Sequence, residues 1–395
     1  MSWRYLKIED FCSTGSGGTP SRSKPEYYEG GDIPWIKSGD LKDSKIYDAN
    51  EYITAAGLEN SSAKIVEKDS ILIAMYGATV GRLAILGINA ATNQAICNIR
   101  PDMTIADIKY LYYFLKSKFS YFVENAVGGA QPNISQGLIK SLEVPLPSLD
   151  EQKRIADILD KADAIRQKRE QAIKLADDFL CATFLDMFGD PVENPKKLKK
   201  APITELADVI TGFAFKSNEY ISDTPESVRL CRGANTLTGY LDWADTKFWP
   251  KNKLEKLDNY LIKAGDIILA MDRPWISSGL KVCIFPENQR ETYLVQRVAR
   301  LRPRCESYTN YIYSCIKSPA FEKHCCPTET TVPHISPVEL KNFEVLIPPD
   351  ELMVNFHSIV SIINNSLNKM ASGDIDSDAL FSKLSQQAFS GHLKR

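Results

Sequence analysis

The sequence predicts an α+β protein: two homologous domains in a pseudo-twofold arrangement, separated by two long helices that form an antiparallel coiled coil. Three observations carry this. The chain repeats itself in tandem with a period of about 200 residues. Each repeat opens with a stretch rich in Gly, Pro, aromatic residues and short β-branched runs, the composition of a compact mixed domain. Each repeat closes with apolar residues recurring in heptads, the pattern of a helix that buries itself on another helix. The boundaries fall at 1–147 (first domain), 148–190 (first helix), 191–348 (second domain) and 349–395 (second helix).

The repeat is read from five matches in order. Ser70–Met75 (SILIAM) answers Asp266–Met271 (DIILAM), and Gln94–Pro101 (QAICNIRP) answers Gln296–Pro303 (QRVARLRP). Leu115-Lys116-Ser117 answers Ile316-Lys317-Ser318, Asn133-Ile134-Ser135 answers His334-Ile335-Ser336, and Glu143–Pro147 answers Glu344–Pro348. From Leu115 onward the offset is a constant 201. Within the domains, Ile71-Leu72-Ile73 and Ile267-Ile268-Leu269 read as buried strands. Tyr110 to Phe122 and Tyr308 to Ile316 read as helices, from apolar spacing without glycine.

The first long helix starts after Pro147, where Ser148 and Glu151 form a capping-box pattern. Its seams are Ile155, Ala162, Ala176 and Leu159, Ile173, Leu180, Met187. The second helix has Phe356, Ile363, Met370, Leu384 and Val360, Leu367, Phe381, Ala388, on the same two seams once 201 is subtracted. Arg166 and Arg169 interrupt the first helix. Asp374 and Ser377 interrupt the second, with Gly373 placed to break it, so the middle of the coiled coil is expected to be looser than its ends. The expected helix-packing residues are Ile155, Leu159, Ala162, Ile173, Leu180, Met187, Phe356, Val360, Ile363, Leu367, Phe381 and Leu384.

A helix of roughly 38 residues is about 57 Å long. Domain termini usually lie close together, so the second helix is expected to run back along the first, giving a dumbbell. Two similar domains on a pseudo-twofold suit duplex DNA, whose grooves repeat every ~34–36 Å. Composition allows this without demanding it. Net charge is −2, with 44% hydrophobic and 25% charged residues, which is ordinary for a globular chain and excludes disorder. The basic excess is local, 22 Lys/Arg against 18 Asp/Glu in 196–349. No apolar run reaches the ~20 residues of a membrane span, and the start has no apolar targeting stretch. The cysteines are scattered, with only Cys325-Cys326 adjacent and no C-x-x-C pair for zinc. A cytoplasmic chain with free thiols is the expectation.

On this frame the chain resembles the specificity (S) subunits of type I restriction–modification systems. The resemblance rests on Gly17-Gly18-Thr19-Pro20-Ser21, Gly31-Asp32-Ile33-Pro34-Trp35, Thr92-Asn93-Gln94-Ala95-Ile96, Ala388-Phe389-Ser390-Gly391 and, above all, Pro145–Ile155 (PLPSLDEQKRI). It implies two target-recognition domains, each reading half of a bipartite, asymmetric site on double-stranded DNA. It implies helices that set the gap and dock two modification (methyltransferase) subunits, with restriction/translocase subunits joining them. No cofactor is then expected in this chain: S-adenosylmethionine belongs to the methyltransferase partner, ATP and Mg to the restriction subunit. The second junction departs from the pattern, where Glu151-Gln152 become Leu352-Met353.

Base readout calls for donors and acceptors on exposed loops. The loop after each Ala-Met strand is the first candidate: Tyr76, Thr79 and Arg82 in one repeat, Arg273, Trp275, Ser277, Ser278 and Lys281 in the other. Thr19, Ser21, Arg22 and Lys24 lie in a Gly/Ser/Pro loop suited to phosphates. Lys37, Ser38, Arg232 and Asn235 follow expected strands. Asn93, Gln94, Gln296 and Arg297 precede strand-like runs, and Gln131, Asn133 and His334 complete the DNA-binding set. The linker Lys196-Lys197, Lys199-Lys200 is basic but reads as a solvated run.

No catalytic residue is expected. An Asn/Asp-Pro-Pro-aromatic tetrapeptide and a G-x-x-x-x-G-K-[ST] loop are both missing, the Gly15/Gly17 G-x-G is incomplete, and the four histidines show no metal spacing. The chain is therefore expected to be no enzyme and to hold no metal, His324 beside Cys325-Cys326 being the one weak metal candidate. Two alternatives stay open from the residues: a coiled-coil scaffold that binds no DNA, and a self-contained nuclease–methyltransferase.

Overall fold

Strand pairing repeats the duplication. The computed structural model describes residues 3–129, 131–325, 334–371 and 377–393. Two compact units emerge, Met1–Glu170 with Ala371–Arg395, and Gln171–Met370. The division falls within the helical segments instead of setting them apart as separate pieces.

In the first unit a five-stranded sheet has the order Cys12–Ser16, Ile96–Pro101, Ile71–Ala74, Leu83–Leu86, Ser44–Ile46. Its central strand Ile71–Ala74 is buried at every residue, as an unbroken apolar run requires. A four-stranded sheet has the order Glu51–Ile53, Ile33–Ile36, Ala90–Thr92, Ile65–Val66. In it Ile33–Ile36 and Ala90–Thr92 run parallel, Trp35 opposite Ala91. Arg4–Lys7 pairs with Glu143–Leu146. The expected helix from Tyr110 to Phe122 is two, Ile108–Ser117 and Phe119–Glu124, the first capped by the Asp107 side chain on Tyr110 N.

The second unit repeats this order. Ala207–Thr211, Val298–Pro303, Ile267–Ala270 and Val282–Ile284 form one sheet. Lys247–Pro250, Ser227–Cys231 and Thr292–Leu294 form the other, the last two parallel. Lys199–Pro202 pairs with Glu344–Ile347, and the helix Thr309–Lys317 lies where expected.

The junctions to the helices explain their motif. Tyr110 donates its hydroxyl to Pro145 O at 2.5 Å, and Tyr311 donates to Leu346 O at 2.7 Å, the same buried bond at the same offset. The long helix Leu149–Phe188 begins with Ser148 Oγ accepting from Glu151 N at 3.4 Å. Gln152, fully buried, accepts from Asp107 N at 2.9 Å and donates to Ile105 O and Pro147 O, both at 3.0 Å. One side chain thus ties the helix start to the sheet domain. Met353 stands 201 residues later, buried in the second unit's apolar core. The departure at the second junction exchanges hydrogen bonds for apolar packing at one shared position.

Helix packing is firm near the junctions. In the first unit Ile155 and Leu159 share a core with Ala388, against which Phe381, Leu384 and Phe389 pack, and Ala162 is buried. In the second, Leu180 and Met187 pack against the core that holds Phe184, Phe188, Phe356 and Val360. Ile363 and Leu367 are half-buried. Ile173 departs from the expectation: it is 44% exposed. The seam has already been broken by Arg166, which is drawn to the buried Asp163. That carboxylate also takes Lys116 Nζ at 3.1 Å from the helix Ile108–Ser117 and Gln167 Nε2 at 2.9 Å. Met370 is likewise exposed. The second helical stretch is described as two helices, Asp350–Ala371 and Ser377–Phe389, and Gly373 and Asp374 lie outside the described residues.

Candidate nucleic-acid interface

In the first unit the parallel strands Ile33–Ile36 and Ala90–Thr92 end on one edge, and three further segments are bonded to it. Asn93 N donates to Ile36 O at 3.0 Å, placing Asn93 and Gln94 beside Lys37 and Ser38. Met75 N donates to Ala95 O at 2.7 Å and Ile134 N to Met75 O at 2.9 Å. These bonds draw in the Tyr76–Arg82 loop and the segment Gln131–Asn133, and Tyr76 and Asn133 form a β-bridge. The Thr19–Lys24 loop arrives through Gly18 N on Thr92 O at 2.8 Å and a side-chain bond between Thr19 and Gln94. The glycines that lead into it are sterically required: a Cβ on Gly17 would sit 2.0 Å from Thr92 O. Candidate residues spread from Thr19 to Asn133 thus meet in one neighbourhood.

The second unit is assembled by corresponding main-chain bonds. Val295 N donates to Cys231 O at 3.0 Å, Met271 N to Arg297 O at 2.9 Å and Ile335 N to Met271 O at 2.9 Å, and Asp272 bridges His334. Arg232, Gln296, Arg297, the 272–281 loop and His334 are gathered by it. On this shared frame the side chains differ: Tyr76 against Asp272, Ala95 against Arg297, Asn133 against His334.

The gathered residues are not alike in availability. Tyr76, Arg82, Gln94, Gln131, Arg273, Ser277, Gln296 and Arg297 are exposed. Arg273 and Arg297 have φ of 46° and 66°, the left-handed region that non-glycine residues seldom adopt. Thr79 is partly occupied by its bond to Tyr76 O, 3.0 Å. Exposed Ser278 meets Thr238 Oγ1 at 3.2 Å. Trp275 packs partly on the core. Lys281 Nζ donates to Gly233 O at 3.2 Å, and burial pulls its ammonium below the usual lysine range. Asn235 is a correction. It is 1% exposed, its Oδ1 accepts from Arg232 N at 3.1 Å and its Nδ2 donates to Asp242 O and Asp245 O. Its polar groups hold the turn that follows Ser227–Cys231 and are spent there.

Sequence reasoning sought donors and missed the acids. Glu51 accepts from both Lys37 and Arg22. Asp245 accepts from Arg232 Nη2 at 2.7 Å and Lys247 Nζ at 2.8 Å. Asp272 takes Arg297 Nη1 at 2.9 Å, with His334 Nδ1 at 2.5 Å. The bonds from Lys37 and Arg22 hold Glu51 below the usual carboxylate range, and those from Lys247 and Arg232 hold Asp245 at about 2. Both acids therefore stay charged at any physiological pH. The spacings are irregular, 14 residues from Lys37 to Glu51 and 13 from Arg232 to Asp245, so nothing in the sequence marked them.

Lys196 Nζ donates to Met187 O at 2.9 Å, serving the end of the long helix. His324 Nε2 meets Glu339 O at 2.9 Å, Cys325 is buried and Cys326 lies outside the described residues. Among the described residues no three His, Cys, Asp or Glu side chains gather to hold a metal. No described helix is long and apolar enough to cross a membrane.

Residues 2–175 match the family described as the type I restriction modification DNA specificity domain. The chain is 26% identical over 361 residues to the type I restriction enzyme MjaVIII specificity subunit of Methanocaldococcus jannaschii, covering 88% of this chain and 82% of that one. It is also 26% identical over 411 residues to the MjaIX specificity subunit of the same organism, covering 97% and 92%. The EcoR124I/EcoR124II specificity subunit of Escherichia coli is 32% identical over 154 residues, 38% of each chain. Among solved structures, the type I restriction–modification S subunit from M. genitalium aligns over 98% of this chain and 96% of its own, with a TM-score of 0.61 at 15% identity, a likeness of fold. With its duplicated frame the chain is thus similar, along most of its length, to specificity subunits of type I restriction enzymes.

Proposed function

We propose that each unit reads one half of a bipartite, asymmetric DNA site, using the edge at the ends of its parallel strand pair. One observation carries the reading: the same main-chain bonds assemble this edge in both units, while the side chains they present differ. A shared frame with divergent donors is what two unlike half-sites demand. Exposed Arg82, Gln94, Gln131, Arg273, Gln296 and Arg297 are the base-edge and phosphate candidates, with Thr19, Ser21, Arg22, Lys24, Lys37 and Ser38 beside them. Asn235 is withdrawn from this set.

The helices, in this reading, set the gap and dock two modification subunits. Ile165, Leu175 and Phe179 on Leu149–Phe188 and Ile362 on Asp350–Ala371 are exposed apolar side chains, a class of surface that partners cover. S-adenosylmethionine is then held by the modification subunits, and ATP and Mg by restriction subunits.

Sequencing of methylated motifs in cells tests this. Replacing residues 1–147 by the corresponding domain of a homologue is expected to change one half of the motif and keep the other half. Inserting one heptad in the long helix adds about 10 Å, or roughly three base pairs of gap, and leaves both halves intact. A motif scrambled throughout by either change overturns the assignment.

A further inference from the structure

The acids at the two edges have a shared arrangement that recognition by donors does not explain. Lys37 is the first residue after the strand Ile33–Ile36, and Arg232 the first after Ser227–Cys231, the middle strands of corresponding sheets. In each unit an acid from the antiparallel neighbour bonds that cation: Glu51, on the strand Glu51–Ile53, and Asp245, just before Lys247–Pro250. Each acid also takes a second cation. Arg22 Nη2 lies 2.6 Å from Glu51 Oε2, and Lys247 Nζ lies 2.8 Å from Asp245 Oδ1. Two cations per carboxylate leaves one net positive charge at each place. The residue types have changed between the repeats, Lys to Arg and Glu to Asp, and so have the spacings. The two-to-one arrangement has not.

The geometry also holds these cations still. The Arg22 guanidinium lies 4.4 Å from the Tyr28 ring centroid and 5.1 Å from that of Trp35. Trp35 is itself fixed by its indole N–H on Gly18 O, 3.1 Å. Arg232 Nη2 donates to Asp245 O as well as to its carboxylate. A cation so placed already has an oxygen anion in its first contact shell. A passing backbone phosphate must replace that anion to be bound, and gains little.

We infer that Glu51 and Asp245 are specificity-determining residues: each occupies a cation pair at its reading edge, so that sequence-neutral phosphate contact is suppressed and the cations engage only when neighbouring base contacts form. This rests on the DNA-reading assignment above. It assigns the acids a role separate from those of the bases they hold.

The test uses the full chain and two labelled duplex sets, random sequence and the motif found by methylation sequencing, titrated across 50–200 mM salt. Glu51→Gln and Asp245→Asn keep shape and remove the charge. Each is expected to tighten binding to random duplex and to steepen its salt dependence by the equivalent of about one phosphate. That equals an extra roughly threefold loss between 50 and 200 mM salt. Motif binding is expected to change less, so the motif-to-random ratio falls. Adding Lys37→Met to Glu51→Gln is expected to restore the parental salt dependence, which a merely structural role for Glu51 would not produce. Unchanged random-duplex affinity and slope in both acid variants overturns the inference, as does equal weakening on both duplex sets. An unmodified chain that binds neither set overturns the DNA-reading assignment itself, a result distinct from either of those.

Discussion

Replacing Gln152 by Met copies into the first junction what the second carries at Met353, and its cost follows from three bonds. Gln152 serves Asp107 N, Ile105 O and Pro147 O, all main-chain groups. A buried group left unpaired costs ~1–3 kcal/mol. Ile105, Asp107 and Pro147 are themselves only half-buried, so water reaches them and the lower figure applies, about 3 kcal/mol in all. The thioether recovers about 1 kcal/mol of apolar burial, leaving a loss of about 2 kcal/mol. Hydrogen exchange by mass spectrometry on peptides spanning 105–117 and 149–160 reads this locally, which suits a chain of two units better than a global midpoint. Protection is expected to fall roughly 30-fold there, since 1.4 kcal/mol is a factor of ten, and to hold in 309–317. Met353→Gln is the converse, placing an amide in an apolar core at a cost of ~1–3 kcal/mol. Parental protection in Gln152→Met would refute the view that this side chain fastens helix to sheet domain.

Asp163→Asn removes the anion beside the mostly buried Lys116, and about 3 kcal/mol is expected to be lost, read by urea unfolding; an unchanged midpoint would show the pair to be idle. Alkaline pH is expected to destabilise the chain. Burial raises the hydroxyls of Tyr110, Tyr113 and Tyr311 above the ordinary value, Tyr113 also through its bond to Asp160. The unfolded chain therefore loses these protons first, so the stabilisation is intact below pH ~10 and lost as pH rises beyond it, at about 4 kcal/mol per unit for three groups. Denaturant midpoints from pH 8 to 11 check the sign, and a flat profile contradicts it. The combined change Tyr76→Asp, Ala95→Arg, Asn133→His gives the first edge the second unit's side chains. It is expected to shift the methylated motif in one half while thermal stability stays near parental; loss of folding would show that the edge is not held by main-chain bonds.

What was legible in the sequence was what periodicity encodes. The strands at Ile71 and Ile267 and the junction cap at Ser148 follow from local pattern, and the offset of 201 carried Pro145 onto Leu346. The candidate loops were found because the repeat diverges there. The unread part consists of contacts between segments with no fixed spacing. Asn235 looked like a reader because it is polar and follows a strand, yet a turn that closes on Asp242 and Asp245 consumes its bonds. Glu51 and Asp245 looked like ordinary solvated acids, because the cations they hold come from other strands and loops. Ile173 kept heptad phase after Arg166 had turned toward Asp163, and phase alone does not bury a side chain.

The edges can diverge because of what holds them. The bonds from Met75 to Ala95, Ile134 to Met75, Met271 to Arg297 and Ile335 to Met271 run between main-chain atoms, which every residue but proline supplies as donors. Exchanging Ala95 for Arg297 or Asn133 for His334 therefore costs the frame little. The junction is different, because there side chains make the bonds: the two tyrosines are kept, while Gln152 gave way to Met353 only with apolar surroundings to receive it. The proposed recognition residues sit where the side chain is free to change, and assembly rests where it is not. In the proposed reading, duplication supplies two half-site readers without asking either fold to change.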